Sequence, residues 1–426
     1  MPVFYPRRAW RLAVARVSAC WLLLCFVAPL ASVAQEARVV QPLTLSFAAP
    51  IAMEGVPLAG DRNPTLGDVV RSSEGPTIFL VSEAPYAELL VGAHRTGFGT
   101  PAALPIKAYG LRIAEGTGSA LWIGGVRDAT VSIISTHLSH GYLAKVDRLG
   151  RLLWERDYGE QSERSVQSVS PLVSGDVSGD VVVSGKDNNR TWLARVSNEG
   201  NVIWERFVGL GKGSAVATRG GVIALGALDP CQCDGGYRED VGVWSFDQAG
   251  EMIDRRIVRQ GINFNQRESA AQIELESVGA SLYIFSVWAA YHAKPLEVTK
   301  LNFKGEPVWS KSFPKTVWRR GNLSGADLPA RGLLANGDIL FAMREQIATA
   351  DIVLSRLDAA SGDLSEAIVQ MPPTPPPSCV ERWGPVRFVQ EEPEGKVLLF
   401  GSFPEGKGRR SCGWVGETAL PKFQSR

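Results

Sequence analysis

Four arginines, Arg164, Arg267, Arg320 and Arg382, stand at comparable places along this chain, and Glu163, Glu268 and Glu381 sit directly beside three of them. A guanidinium fork matches the two oxygens of a carboxylate or phosphate. Arginines gathered around one opening would therefore hold a small anionic ligand or a peptide carboxylate. With acidic neighbours, the same set could instead form a ring of salt bridges around a polar mouth. Two further sets carry chemistry. His137 and His140 are three residues apart, with His292 far along the chain. Such a spacing can ligate a metal, although loop histidines are more often merely solvated. Cys231, Cys233, Cys379 and Cys412 offer thiols for disulfides, for zinc or, at the Cys-x-Cys pair, for copper. Disulfides are the expectation, and no metal site is. The chain has no Gly-x-Ser-x-Gly, no phosphate-cradling glycine loop and no Ser/His/Asp set, so no catalytic residue is assigned.

The elements that must position these residues are repeats. GYLAKVDRLGRLLWERDYG begins at 141 and TWLARVSNEGNVIWERFVG at 191, and related segments begin at 241, 296 and 351. Successive starts thus lie 50, 50, 55 and 55 residues apart, a period that marks a solenoid, propeller or array. Each segment reads as a β-hairpin. Side chains alternate before the turn, a short polar residue opens it (Asp147, Ser197, Asp247, Asn302), and a glycine follows three residues on (Gly150, Gly200, Gly250, Gly305). Trp154, Trp204 and Trp309 then recur at one offset, which Asp254 breaks once. A second hairpin precedes each, its return strand being ALWIGGV, DVVVSGK, GVIALGA, SLYIFSV, DILFAM or KVLLFGS. Four antiparallel strands per period, a to d, make one propeller blade.

The expected fold is an all-β propeller of four-stranded blades. The reading gives seven, with six or eight open, at 51–110, 111–159, 160–209, 210–260, 261–315, 316–371 and 372–426. The last lacks its d strand, and the orphan strand within 39–50 would complete it and close the ring, removing an exposed edge. In this scheme strand a lines the channel, and the b–c and d–a connections share one face. The four arginines fall on the d–a approaches. His137, His140 and His292 fall in b–c loops, as do Cys231, Cys233 and Cys412. Cys379 precedes strand a of the last unit. Disulfide geometry needs Cα atoms within about 7 Å. The fourth and seventh units are not neighbours, so Cys379 should pair with Cys412, while Cys231 and Cys233 close a small loop or stay reduced.

These units resemble the secreted bacterial β-propeller repeats of consensus W-L-V-K-L-D-x-x-G-N-V-L-W-x-K-x-Y-G-G. Those are similar in turn to the pyrroloquinoline-quinone-like propellers. The resemblance spans about 110–370 and implies the fold. Quinoprotein dehydrogenases of that superfamily carry two adjacent cysteines and a calcium-holding acidic cluster. Here Gln232 separates Cys231 from Cys233, so no cofactor is expected.

The N-terminus reads as an export signal. Arg7, Arg8, Arg11 and Arg16 precede an apolar run from Val17 to about Leu30, and small residues lead to cleavage after Ala34. Residues 1–34 are thus a signal peptide and 35–426 the mature, periplasmic or secreted domain, with no transmembrane segment expected. The 45 Lys and Arg against 44 Asp and Glu leave a net charge of +1, which gives no electrostatic case for nucleic acid. The sequence favours a non-enzymatic binding or scaffolding module acting through the b–c/d–a face. Its partner would be an unidentified protein or a small anionic ligand. The alternative is an enzyme, quinoprotein-like or otherwise, with its site at the channel mouth.

Overall fold

The chain divides into two compact units, Met1–Arg38 and Val39–Arg426. The computed structural model describes residues 46–47 and, from 65 to 425, all except 72–76, 84–85, 94–96, 99–101, 105, 130–137, 160–162, 173–178, 189, 229–239, 260–268, 279–280, 290–295, 314–328, 345–351, 370–385, 393–394 and 403–412. The first unit lies wholly outside them. So do Arg267, Arg320 and Arg382, His137 and His292, and all four expected disulfide cysteines.

The described residues of the second unit form antiparallel sheets laid out as the repeats require, and the fold is an all-β propeller. A two-residue strand, β1 (Ser46–Phe47), comes first. The first repeat holds β2 (Thr65–Arg71), β3 (Thr77–Glu83), β4 (Tyr86–Ala93), β5 (Gly97–Phe98) and β6 (Ala102–Leu104). The second holds β7 (Tyr109–Glu115), β8 (Leu121–Ala129), β9 (Leu138–Val146) and β10 (Leu152–Tyr158). The third is β11 (Ser168–Pro171), β12 (Val181–Asp187), β13 (Arg190–Val196) and the first half of β14 (Val202–Thr218). The second half of β14 opens the fourth, with β15 (Gly221–Ala227), β16 (Val241–Phe246) and β17 (Met252–Arg259), so these two repeats share one seven-stranded sheet. The fifth is β18 (Ser269–Val278), β19 (Ser281–Ala289), β20 (Leu296–Leu301) and β21 (Pro307–Phe313). The sixth is β22 (Ala330–Leu333), β23 (Ile339–Arg344), β24 (Ile352–Leu357) and β25 (Leu364–Val369). The last holds β26 (Val386–Glu392), β27 (Lys396–Ser402) and β28 (Gly413–Ala419), and β29 (Gln424–Ser425) ends the chain. β1 pairs with β28 (Ser46 opposite Glu417), and β29 pairs with β25 (Ser365 opposite Ser425). The numbering of repeats follows the sequence reading; the count of seven and the closure of the ring stay expectations. One boundary differs: β7 begins at Tyr109, inside the segment assigned to the first unit, because β6 already supplies a partner to β4.

The middle strands are apolar on both faces because each sheet is packed on both sides. On β9, Tyr142, Ala144 and Val146 pack with Leu121 and Ile123, while Leu143 packs the opposite way with Trp122 and Trp192. The recurring tryptophans join one repeat to the next. Trp154 donates its indole N–H to the carbonyl of Asn198 (2.9 Å), Trp204 to that of Gln248 (3.0 Å) and Trp309 to that of Ala359 (3.4 Å). Each ring lies against the turn glycine of the next repeat. At Gly200 and Gly250 the backbone sits at φ 86° and 82°, and a Cβ would fall about 3 Å or less from the ring of Trp154 or Trp204. Where Asp254 replaces tryptophan, Arg256 pairs with it and reaches Glu306, 3.5 Å away on the neighbouring turn.

Inner strands are stitched sideways by polar side chains that satisfy edge backbone groups. Asp68 of β2 accepts from the Ile113 N–H (3.0 Å), Ser170 of β11 from Ala217 (2.9 Å) and Ser214 of β14 from Leu275 (2.6 Å).

Candidate functional site

Arg164, the one arginine of the expected four among the described residues, lies between β10 and β11 and forms an isolated antiparallel bridge with Asp187 at the end of β12. Its guanidinium is engaged. Nε lies 2.8 Å and Nη2 2.5 Å from Asp187 Oδ2, and Nη1 lies 3.2 Å from Glu205 Oε2. The guanidinium stacks 4.5 Å from the ring centroid of Trp192, whose indole N–H donates to Glu205 (3.0 Å). The tight β12–β13 hairpin places Asp187 here, with Asn188 in the left-handed region at φ 50° and its side chain donating to Asp187. Arg164 and Asp187 are nearly buried, whereas the Glu205 side chain is 42% exposed. The Nη1 edge, on Glu205, thus faces the more exposed of the two carboxylates.

His140, expected in a b–c loop, is instead the third residue of β9, opposite Arg127 of β8, because the pairing of the two strands runs on to Leu138. Its Nδ1 lies 3.2 Å from the Gly159 carbonyl, and an added Cβ at Gly159 would touch Arg164. A carbonyl only accepts, so Nδ1 carries the proton and Nε2 is left as the basic nitrogen. Histidine and arginine thus flank one glycine, Gly159. His137 and His292 cannot be placed beside them, and among the described residues no group of three His, Cys, Asp or Glu could hold a metal.

Sequence reasoning missed two charged sets. On the second repeat, Arg127 pairs with Glu155 (2.6 Å) and Asp157 (3.0 Å) and stacks 4.2 Å from the Tyr142 ring. Tyr142 donates to Glu155 (2.8 Å). Burial first, and then that carboxylate, push the phenol far above its ordinary range, so it acts as a donor and not as a base. On the inner strands, Arg331 of β22 bonds both Glu274 and Glu276 of β18 through Nη2, and lies 4.7 Å from the Phe285 ring. Burial opposes the Arg331 charge, but the two carboxylates outweigh it and push its pKa up. This set ties the fifth repeat to the sixth. Its signal was available: Glu274 and Glu276 alternate around the core residue Leu275 on an inner strand.

No family model matches this chain, and no curated protein matches it in sequence. Solved structures do share its fold. The polysaccharide lyase Uly1 aligns over 91% of this chain and 94% of its own, at 10% identity and a TM-score of 0.50. A PL25 ulvan lyase bound to -[GlcA(1-4)Rha3S]- aligns over 84% and 92%, at 10% identity and 0.47. The α-L-arabinofuranosidase Arb93A of Fusarium graminearum aligns over 72% and 91%, at 9% identity and 0.41. At these identities the likeness establishes the fold, and the two below 0.5 carry no argument. The expectation of a non-enzymatic binding or scaffolding module is corrected here: a solved structure that shares this fold over nearly the whole chain is an enzyme, which favours the enzymatic alternative.

Proposed function

We propose that this chain is a carbohydrate-active enzyme that cleaves an anionic polysaccharide at the face bearing the b–c and d–a connections. The observation that carries this is the likeness to a polysaccharide lyase over 91% of the chain. The site chemistry supports it. Lyase cleavage of a uronate polymer removes the C5 proton beside the carboxylate. The electron pair forms the C4–C5 double bond, the C4–O4 bond breaks and the leaving oxygen takes a proton. Such a site needs a cation on the carboxylate and a nearby base. His140 Nε2 is the base of this proposal, and the Nη1 edge of Arg164 is the described part of its cationic rim. Arg267, Arg320 and Arg382 complete that rim in the proposal. The finer resemblance to quinone-type propellers rests on the repeat motif and brings no cofactor with it. Export by residues 1–34 and a Cys379–Cys412 disulfide belong to the same proposal, and the mass of the secreted, non-reduced chain checks both. Among the described residues no helix is long and apolar enough to cross a membrane.

The test is incubation of residues 35–426 with uronate-containing and neutral polysaccharides, following the absorbance of the unsaturated product and the release of reducing ends. Unsaturated ends from a uronate polymer, lost in His140→Ala with the fold intact, are the expected result. Absence of cleavage of every polymer overturns the proposal. Reducing ends without unsaturation would make the enzyme a hydrolase and remove His140 from its role.

A further inference from the structure

The outer hairpins of the second to fifth repeats share a defect that the sixth lacks. On β10, β14, β17 and β21 one residue is bulged out of the pairing: Leu153, Ile203, Ile253 and Val308. Each is a large aliphatic side chain about half or more exposed. A bulge twists an edge strand and interrupts its row of free N–H and C=O groups, which blocks pairing with another strand. β25 pairs with β24 without a shift from Leu364 to Val369. The residue count explains the difference. Lys145 opposite Trp154, Arg195 opposite Trp204, Ser245 opposite Asp254, Lys300 opposite Trp309 and Arg356 opposite Ser365 are all nine residues apart. In the sixth repeat the extra residue sits in the turn. Gly362 N–H bonds back four residues to the Asp358 carbonyl, whereas Gly150 bonds back three to Asp147. Moving one residue from strand to turn leaves β25 straight.

The straight edge is occupied. β29 adds to it at Ser365 and Glu366, directly after the level at which the other outer strands are bulged. Leu420 and Phe423 anchor the segment leading to β29 on the core built from the sixth and last repeats, and the Leu420 N–H bonds the Gly395 carbonyl (2.6 Å). We propose that the β25 edge is a strand-addition site, filled in the folded chain by its own C-terminal segment and, when that segment is absent, by a second copy of this chain pairing β25 against β25. The second copy is the occupant because it presents the same regular, unbulged edge, and two such edges pair in antiparallel register about a two-fold axis.

A chain ending at Ala419 tests this by gel filtration with light scattering, with circular dichroism to report its β content. The expected result is a mass twice that of the monomer. Restoring the bulge in this shortened chain, by deleting Ala360 and inserting Ile between Leu364 and Ser365, returns it to monomer. So does adding a peptide of residues 420–426. A folded, monomeric shortened chain overturns the proposal, as does a dimer that survives the restored bulge. Should the shortened chain lose its β signal, the full chain carrying Leu420→Ser and Phe423→Ser takes its place. It dimerises if the proposal holds and stays monomeric if it fails. Polysaccharide cleavage plays no part in this readout, so the result is independent of the proposed activity.

Discussion

The second and third repeats build the same three-part joint from different places in the chain. In both, a guanidinium lies over an aromatic ring of strand c, that ring's polar atom donates to a glutamate of strand d, and the glutamate pairs with the guanidinium. In the second repeat the cation is Arg127 on β8, with Tyr142 and Glu155. In the third, Asp187 stands on β12 where Arg127 stands on β8, and the cation arrives instead as Arg164 from the preceding connection, with Trp192 and Glu205. The difference teaches that the repeat conserves a charge arrangement and leaves the chain position of each charge free.

The comparison is broken most severely at Arg164. The Asp187 side chain is 8% exposed, so Arg164→Ala strands a carboxylate out of water; losing one partner of a buried pair costs about 3–5 kcal/mol. Urea unfolding should show the free energy of unfolding falling by that amount, read as a lower midpoint at unchanged slope. Asp187→Arg combined with Arg164→Ala rebuilds the third repeat on the plan of the second and should recover most of the loss. A double variant as unstable as Arg164→Ala would show that the two joints are not equivalent.

Arg127→Ala should cost less, about 1 kcal/mol. Its partners Glu155 and Asp157 are each 35% exposed, and water replaces the lost cation. Tyr142→Phe removes only the hydroxyl bonded to Glu155, worth about 0.5–1.5 kcal/mol. Thermal unfolding of both variants beside Arg164→Ala checks the ranking, and equal losses at Arg127 and Arg164 would refute the burial argument behind it.

The repeat architecture was legible because hairpin chemistry is local. The turn opener, the glycine three residues on and the alternating apolar residues all lie within twenty residues, and the strands fall where they indicate. Trp154, Trp204 and Trp309 were legible as packing between repeats for the same reason. The joints were not. Arg127 meets Glu155 across the intervening strand β9, Arg164 meets Glu205 over 41 residues, and Arg331 meets Glu274 over 57. Pairings of that range depend on which strands of one repeat, or of two, lie side by side, and a single sequence does not state that. The candidate base illustrates the middle case. The sequence marks His140 by its spacing from His137, whereas the Gly159 carbonyl facing its Nδ1 lies 19 residues on.

The smallest effect compares the two turns that open the same hairpins. Asp147 opens the second repeat's turn and Ser197 the third's, and both side chains accept from the backbone four residues on, at Arg151 and Asn201. Only Asp147 can titrate. Its slight burial would raise its pKa, but the Arg151 N–H and guanidinium and the Leu149 N–H outweigh that and hold the carboxyl below its ordinary range. A depressed folded-state pKa contributes stability above the unfolded value, about 3.9, and that contribution is lost as pH falls through the folded value. Asp147→Ser should therefore lower stability slightly above about pH 4, where the carboxylate contributes, and converge on the parent chain below its folded value, which flattens the acid limb. Ser197→Asp should steepen that limb in the third repeat. Urea titrations of the two variants across that acid range make the measurement. Parallel acid limbs in the parent chain and both variants would mean that the turn carboxylate is equally held in the unfolded chain.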